Sequence, residues 1–200
     1  MKIIVHRRNL RAELDSTDTR FGVEVDLRSN GNQLVAAHDP FFEGEDFGFW
    51  IEGLNHSTLI VNVKEEGLEN RVLSVLKDRG IEDFFLLDQS FPSLVKCALA
   101  GEGRTAVRVS EFESIETALL LSGKVRWVWL DSFGEFLFSE TEVTRLVSAG
   151  FQICVVSPEL QGRDADFEVP ALLQQFGQWG IELDAVCTKR PDLWERVGAY

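Results

Sequence analysis

The sequence predicts an α/β fold, a (β/α)8 TIM barrel with a β-hairpin inserted after the second strand. Three observations lead there. Short, nearly all-apolar segments alternate with helically spaced apolar residues along the whole chain. That is the pattern of a parallel sheet covered on both faces. Counting gives eight strand-then-helix units in 200 residues, which fits one compact barrel and a single domain over residues 1–200. No Gly-x-Gly-x-x-Gly follows the first strand, which argues against an open dinucleotide-binding sheet.

The elements follow in order. Ile3-Ile4-Val5 is a short buried strand that ends at His6-Arg7, and a polar, partly helical stretch leads on through Asp15-Ser16-Thr17. The strand from Phe21 turns at Ser29-Asn30-Gly31-Asn32, with Asn30-Gly31 the pair suited to positive φ, and returns as Gln33–Ala37. Phe41–Trp50, rich in Gly and Phe, reads as a loop or a lid hinged at Gly44 and Gly48. Thr58–Lys64 is a strand, and Leu68 to Arg79 a helix closed by Gly80. Phe84–Leu87 is a strand, and Ser90 with Pro92 starts a helix to Ala100. Thr105–Val109 precedes a helix over about Glu111–Leu121. The strand Val125–Leu130 places Trp127 and Trp129 on one face as core packing. Ser139 and Glu142 form a capping box for a helix to Ala149. Phe151–Val156, a helix to roughly Gln178, the strand Ala185–Thr188 and a helix from Pro191 complete the chain.

Composition narrows the function. A formal net charge of −13 argues against nucleic acid and against anionic membrane surfaces, and suits a cation held in an acidic cleft. Cys97, Cys154 and Cys187 are odd in number and far apart, so they read as buried thiols in a reducing compartment. The N-terminal MKIIVHRRNL has too short an apolar run for a signal peptide, and no segment approaches membrane length, so the chain reads as cytoplasmic without membrane insertion.

The chemistry concentrates between Phe21 and Pro40. On a strand, Glu24 and Asp26 point the same way, and Val23, Val25 and Leu27 the other. Two carboxylates on one face repel unless a cation lies between them, whereas a solvated strand face is the plainer reading of an isolated Glu-x-Asp. His38-Asp39 follow the hairpin and His6-Arg7 end the first strand, so two imidazoles join the two acids. In a barrel, the C-terminal strand ends face the active site. Here these ends also carry Asn62, Lys64, Asp88, Arg108, Asp131 and Ser157. Asp88 and Asp131 read equally well as helix caps, and His56 as a loop residue.

In this order, His6-Arg7, Glu24-x-Asp26, the Asn30-Gly31 hairpin and His38-Asp39 resemble the glycerophosphodiester phosphodiesterases, TIM barrels of the phospholipase C-like superfamily. Asn62-Val63-Lys64 is similar to that family's third-strand Glu-x-Lys, and Thr188 to Leu193 to its closing segment. The motif likeness is confined to the first 64 and last 16 residues. It implies His6 and His38 as general acid and base, Glu24 and Asp26 as ligands of a divalent cation (Mg²⁺ or Ca²⁺), and Arg7 and Lys64 as contacts to the substrate phosphate. Asn62 stands where the family has an acid. Its amide oxygen can still ligate such an ion, or Asp88 supplies the third ligand. The expected partner is a small glycerol- or sugar-type phosphodiester. Release of a cyclic phosphate by a phospholyase, and a non-catalytic phosphate-binding protein, are the alternative readings.

Overall fold

The computed structural model of the chain describes residues 1–197. Strand β1 (Lys2–Val5) opens it, followed by α1 (Arg11–Ser16), β2 (Gly22–Asn30), β3 (Gln33–Ala36), β4 (Glu45–Asp46) and α2 (Phe47–Ile51). Next come β5 (Leu59–Val63), α3 (Glu69–Asp78), β6 (Phe84–Leu87), α4 (Phe91–Leu99), β7 (Ala106–Val109) and α5 (Ile115–Leu119). The chain continues through β8 (Trp127–Leu130), α6 (Glu140–Ser148), β9 (Gln152–Val156), α7 (Ala165–Gln178), β10 (Ala185–Thr188) and α8 (Pro191–Val197). Two compact units result, one of Val5–Thr105 and one of Met1–Ile4 with the residues from Ala106 onward.

In the Val5–Thr105 unit, β2 pairs with β5 in parallel and β5 with β6 in parallel, as strands joined by helices must. The hairpin partner β3 runs antiparallel to β2, with Asn30 opposite Gln33, and β4 adds to its outer edge. The two-residue connection is therefore Gly31-Asn32, one step beyond the expected pair, and only Gly31 takes positive φ, at 57°. Strand alternation sends Val23, Val25 and Leu27 into an apolar cluster with Leu59, Val61, Val63, Val72 and Leu76.

The stretch after the hairpin departs from the expected loop. Glu45-Asp46 pair with β3, and Asp46 caps α2 by accepting from Phe49 N at 2.8 Å. Phe47 and Trp50 stack, centroids 5.7 Å apart, and both are fully buried in the same cluster. Gly44 lies against β3, where a Cβ would stand 2.6 Å from Ala36 O, so the glycine is required by this close approach. Within the expected loop Phe41–Trp50, only residues 41–44 lack regular structure.

In the other unit, β7, β8, β9 and β10 form a parallel series, and β1 pairs with β10. Trp127 and Trp129 are buried, as core packing requires. The Ser139–Glu142 capping box forms in full. The helix expected from Glu111 begins four residues later, because Ser110 and Glu113 bond to each other through main chain and side chains and hold the intervening residues in a turn. Ser114 then caps α5.

If the close approach at Gly44 is structural, Gly44→Ala should lower stability by about 1–3 kcal/mol through overpacking, read from urea unfolding. An unchanged midpoint would show that the segment gives way freely.

Candidate active site

Strand β2 carries Glu24 and Asp26 on the face opposite its apolar residues, and both are buried, at 0% and 1% exposure. Burial rules out a solvated strand face. A buried carboxylate needs donors and countercharge, and the surrounding residues supply both. Glu24 Oε2 accepts from Arg7 N at 2.6 Å, and Oε1 accepts from Asn62 Nδ2 at 2.9 Å. Asp26 Oδ2 accepts from Asn9 Nδ2 at 2.9 Å and lies 3.4 Å from Arg7 Nε. Asp26 Oδ1 lies 3.5 Å from Lys64 Nζ, which donates in turn to Asp88 Oδ2 at 3.0 Å.

These placements follow from chain order. His6 and Arg7 leave β1, and Arg8 N bonds to Glu24 O at 2.7 Å, laying the segment along β2. Asn62 is opposite Asp26 in the β2–β5 register, and Lys64 follows at the end of β5. Arg7 and Asp88 both adopt positive φ, at 52° and 56°. For non-glycine residues such backbone costs of order 1–3 kcal/mol and persists where surrounding contacts impose it. His6 Nε2 stands 3.9 Å from Glu24 Oε2. His38 follows β3, and Ala37 N donates to Asp26 O at 3.0 Å, so the main chain beside His38 is tied to the acid-bearing strand. Its Nδ1 is 2.8 Å from Asp39 Oδ1. That hydrogen bond is the main reason the Asp39 carboxyl titrates below its usual range. An ionised carboxylate only accepts, so Nδ1 carries the proton and Nε2 of the neutral ring carries the lone pair.

The remaining strand-end residues are engaged elsewhere. Asp131 accepts from Arg108 Nη1 at 2.5 Å and from Gln161 Nε2 at 2.9 Å, and Ser157 Oγ accepts from Trp194 Nε1 at 2.9 Å. Thr188 donates to Glu159 at 2.6 Å. His56 bonds through Nε2 to Thr17 O at 3.1 Å. Two contributors escape sequence reasoning. Asn9 holds both the side chain and the main chain of Asp26, its Oδ1 accepting from Asp26 N at 2.9 Å. Arg28, on the same face of β2 two residues past Asp26, reaches His38 O at 2.9 Å and Lys64 O at 3.1 Å. The Glu24-Asp26-Arg28 alternation was a usable signal for the second; nothing in the sequence distinguishes Asn9.

Burial, then the neighbouring Asp26 carboxylate, push Glu24 up from 4.5 to about 7. Asn62 Oδ1, beside it, is buried without a hydrogen-bond partner among the described residues. Because Asn62 presents its Nδ2 to Glu24, its oxygen can join the two acids as a donor to a divalent ion only with the amide turned over, with one charge fewer than three acids would give. No three His, Cys, Asp or Glu side chains among the described residues gather as a ligand group, and Asp88 is taken up by Lys64.

Solved structures share this architecture. A glycerophosphodiester phosphodiesterase from Agrobacterium tumefaciens str. C58 superposes with a TM-score of 0.70 at 14% identity, covering 98% of this chain and 100% of that one. A glycerophosphoryl diester phosphodiesterase from Parabacteroides distasonis ATCC 8503 gives 0.68 at 13% identity, covering 99% of this chain and 86% of its own. The chain therefore has the α/β TIM-barrel fold of these enzymes. No protein-family model and no curated protein sequence matches it. No helix of the described residues is long and apolar enough to cross a membrane.

The raised Glu24 predicts a pH dependence. The folded chain holds this proton more tightly than the unfolded one, so the stabilisation is complete below pH 4.5 and lost as pH rises to about 7. Glu24→Gln mimics the protonated acid, and its amide can pair with a turned-over Asn62. Its urea-derived stability should gain on wild type by roughly 3 kcal/mol across that window. Parallel pH profiles for the two proteins would show that Glu24 is ionised throughout.

Proposed function

We propose that the chain is a phosphodiesterase acting on a small glycerol- or sugar-type phosphodiester by two-histidine acid-base catalysis. The observation that carries this reading is the cluster of buried Glu24 and Asp26 with Arg7, Lys64 and His6 around them. The fold shared with phosphodiesterases supports it. A phosphodiester is an anion that repels nucleophiles, so its site needs cations beside it and groups that move protons. Arg7, whose side chain is 42% exposed, and Lys64, 17% exposed, are the cations within reach of a ligand.

In this reading His38, with Nδ1–H held by Asp39, takes the proton of the attacking hydroxyl on Nε2 as oxygen bonds to phosphorus. His6 gives a proton to the alkoxide as the ester P–O bond breaks. Two imidazoles suit both roles near neutral pH. Glu24, Asp26 and Asn62 Oδ1, after its amide turns over, would hold a Mg²⁺ or Ca²⁺ ion. Such an ion, when bound, neutralises charge on the phosphoryl oxygens.

His6→Ala and His38→Ala should each lower turnover by about 10²–10⁴ while leaving the urea midpoint within experimental scatter of wild type. The assay is ³¹P NMR on glycerophosphodiesters, in which a phosphomonoester product supports hydrolysis and a cyclic phosphate indicates lyase chemistry. Near wild-type rates in either variant would remove that histidine from the mechanism.

Metal affinity gives a second check without turnover. Calorimetric titration should find weak binding of Mg²⁺ and Ca²⁺ to the wild type. In Asn62→Glu, the added charge at ligand distance should tighten it at least about tenfold, some 1.4 kcal/mol. Tight binding by the wild type, weakened in Asn62→Glu, would show that residue 62 is no ligand.

A further inference from the structure

Two groups in this site come from different segments and need a fixed separation. His38 lies past the last residue of β3, and Lys64 past the last residue of β5, so their carbonyls extend beyond the sheet ladders. Strand β2 runs between those two strands, and its Arg28 reaches both exits. Arg28 Nε donates to His38 O at 2.9 Å, and Nη1 donates to Lys64 O at 3.1 Å. A guanidinium is planar, with donors in fixed relation, so one side chain spanning two carbonyls sets their spacing as well as satisfying them. An ammonium carries the same charge without that fixed fork.

We propose that Arg28 is a positioning residue, a rigid spacer that holds His38 and Lys64 at their working separation. The proposal rests on the phosphodiesterase reading for the roles of those two residues, but the spacing itself is a property of the free protein. Misplacing a reacting group by about 1 Å costs up to about a hundredfold in rate, so a loosened spacer should act on turnover before it acts on stability.

Arg28→Lys tests this with two readouts. In the substrate-free protein, ¹H–¹⁵N NMR of the imidazole rings should show His38 signals displaced from wild type and His56, held at Thr17 O, unmoved. With a phosphodiester that the wild type turns over, kcat should fall by about ten- to a hundredfold, with a smaller change in KM and an unchanged urea midpoint. Unmoved His38 signals overturn the proposal, and so does an undiminished kcat in a variant whose His38 has moved. The NMR readout needs no substrate, so it decides the spacer separately from the reaction. Should Arg28→Lys fail to fold, the wild type still decides. Its Arg28 Nε–H should exchange slowly with solvent, and fast exchange overturns the proposal.

Discussion

Two like charges buried on one face of β2 set the terms for the Val5–Thr105 unit. An isolated carboxylate out of water is costly enough that chains protonate or pair it, and here two lie side by side at 0% and 1% exposure. The response is distributed. Arg7 main chain, Asn62 and Asn9 donate hydrogen bonds, while Arg7 and Lys64 bring charge. Glu24 meets what is left of the repulsion by holding a proton up to about pH 7. The compensating groups arrive from two other segments, Arg7 and Asn9 after β1 and Asn62 and Lys64 at the end of β5. The acid pair thus ties together where β1 exits and how β5 registers.

That dependence explains what was legible in the sequence. Strand alternation alone places Glu24, Asp26 and their apolar opposites, because a period of two admits no other arrangement once the segment is extended. The parallel strands and the capped helices are equally local: Ser139 with Glu142 and Ser90 with Pro92 act within a turn of themselves. Features decided by distant partners were not legible. FFEGEDFGFW has the composition of a loop, yet Phe47 and Trp50 complete an apolar cluster that also draws residues from α1, β2, β3, β5, α3 and β6. Gly44 also serves a close approach to Ala36 O that only the folded chain reveals. In the candidate site, the residues that make the charges were readable by type and spacing. Of the residues that hold them, Arg28 shares the strand alternation of Glu24 and Asp26, but its partners, like the partner of Asn9 17 residues away, are distant in the chain and no local pattern encodes them.

Backbone strain collects at the same place. Among the described residues, Arg7, Phe41 and Asp88 are the non-glycine positions with positive φ, and Arg7 and Asp88 flank the acid pair through Asp26 and Lys64. Glycine would relax either position at once, but would remove a charge that the cluster uses. The chain therefore trades some stability for side chains where a backbone-only criterion would choose none, a common exchange at functional sites.

The indole of Trp50 donates to Arg8 O at 2.7 Å, and Arg8 N bonds to Glu24 O. The polypeptide that leaves β1 with His6 and Arg7 is thus fastened on one side to the acid-bearing strand and on the other to a ring sunk in the apolar cluster. Its position is set by the hydrophobic interior on one side and the acid-bearing strand on the other. Loosening the packing around Trp50 would therefore release the main chain at Arg8, directly beside the charged cluster.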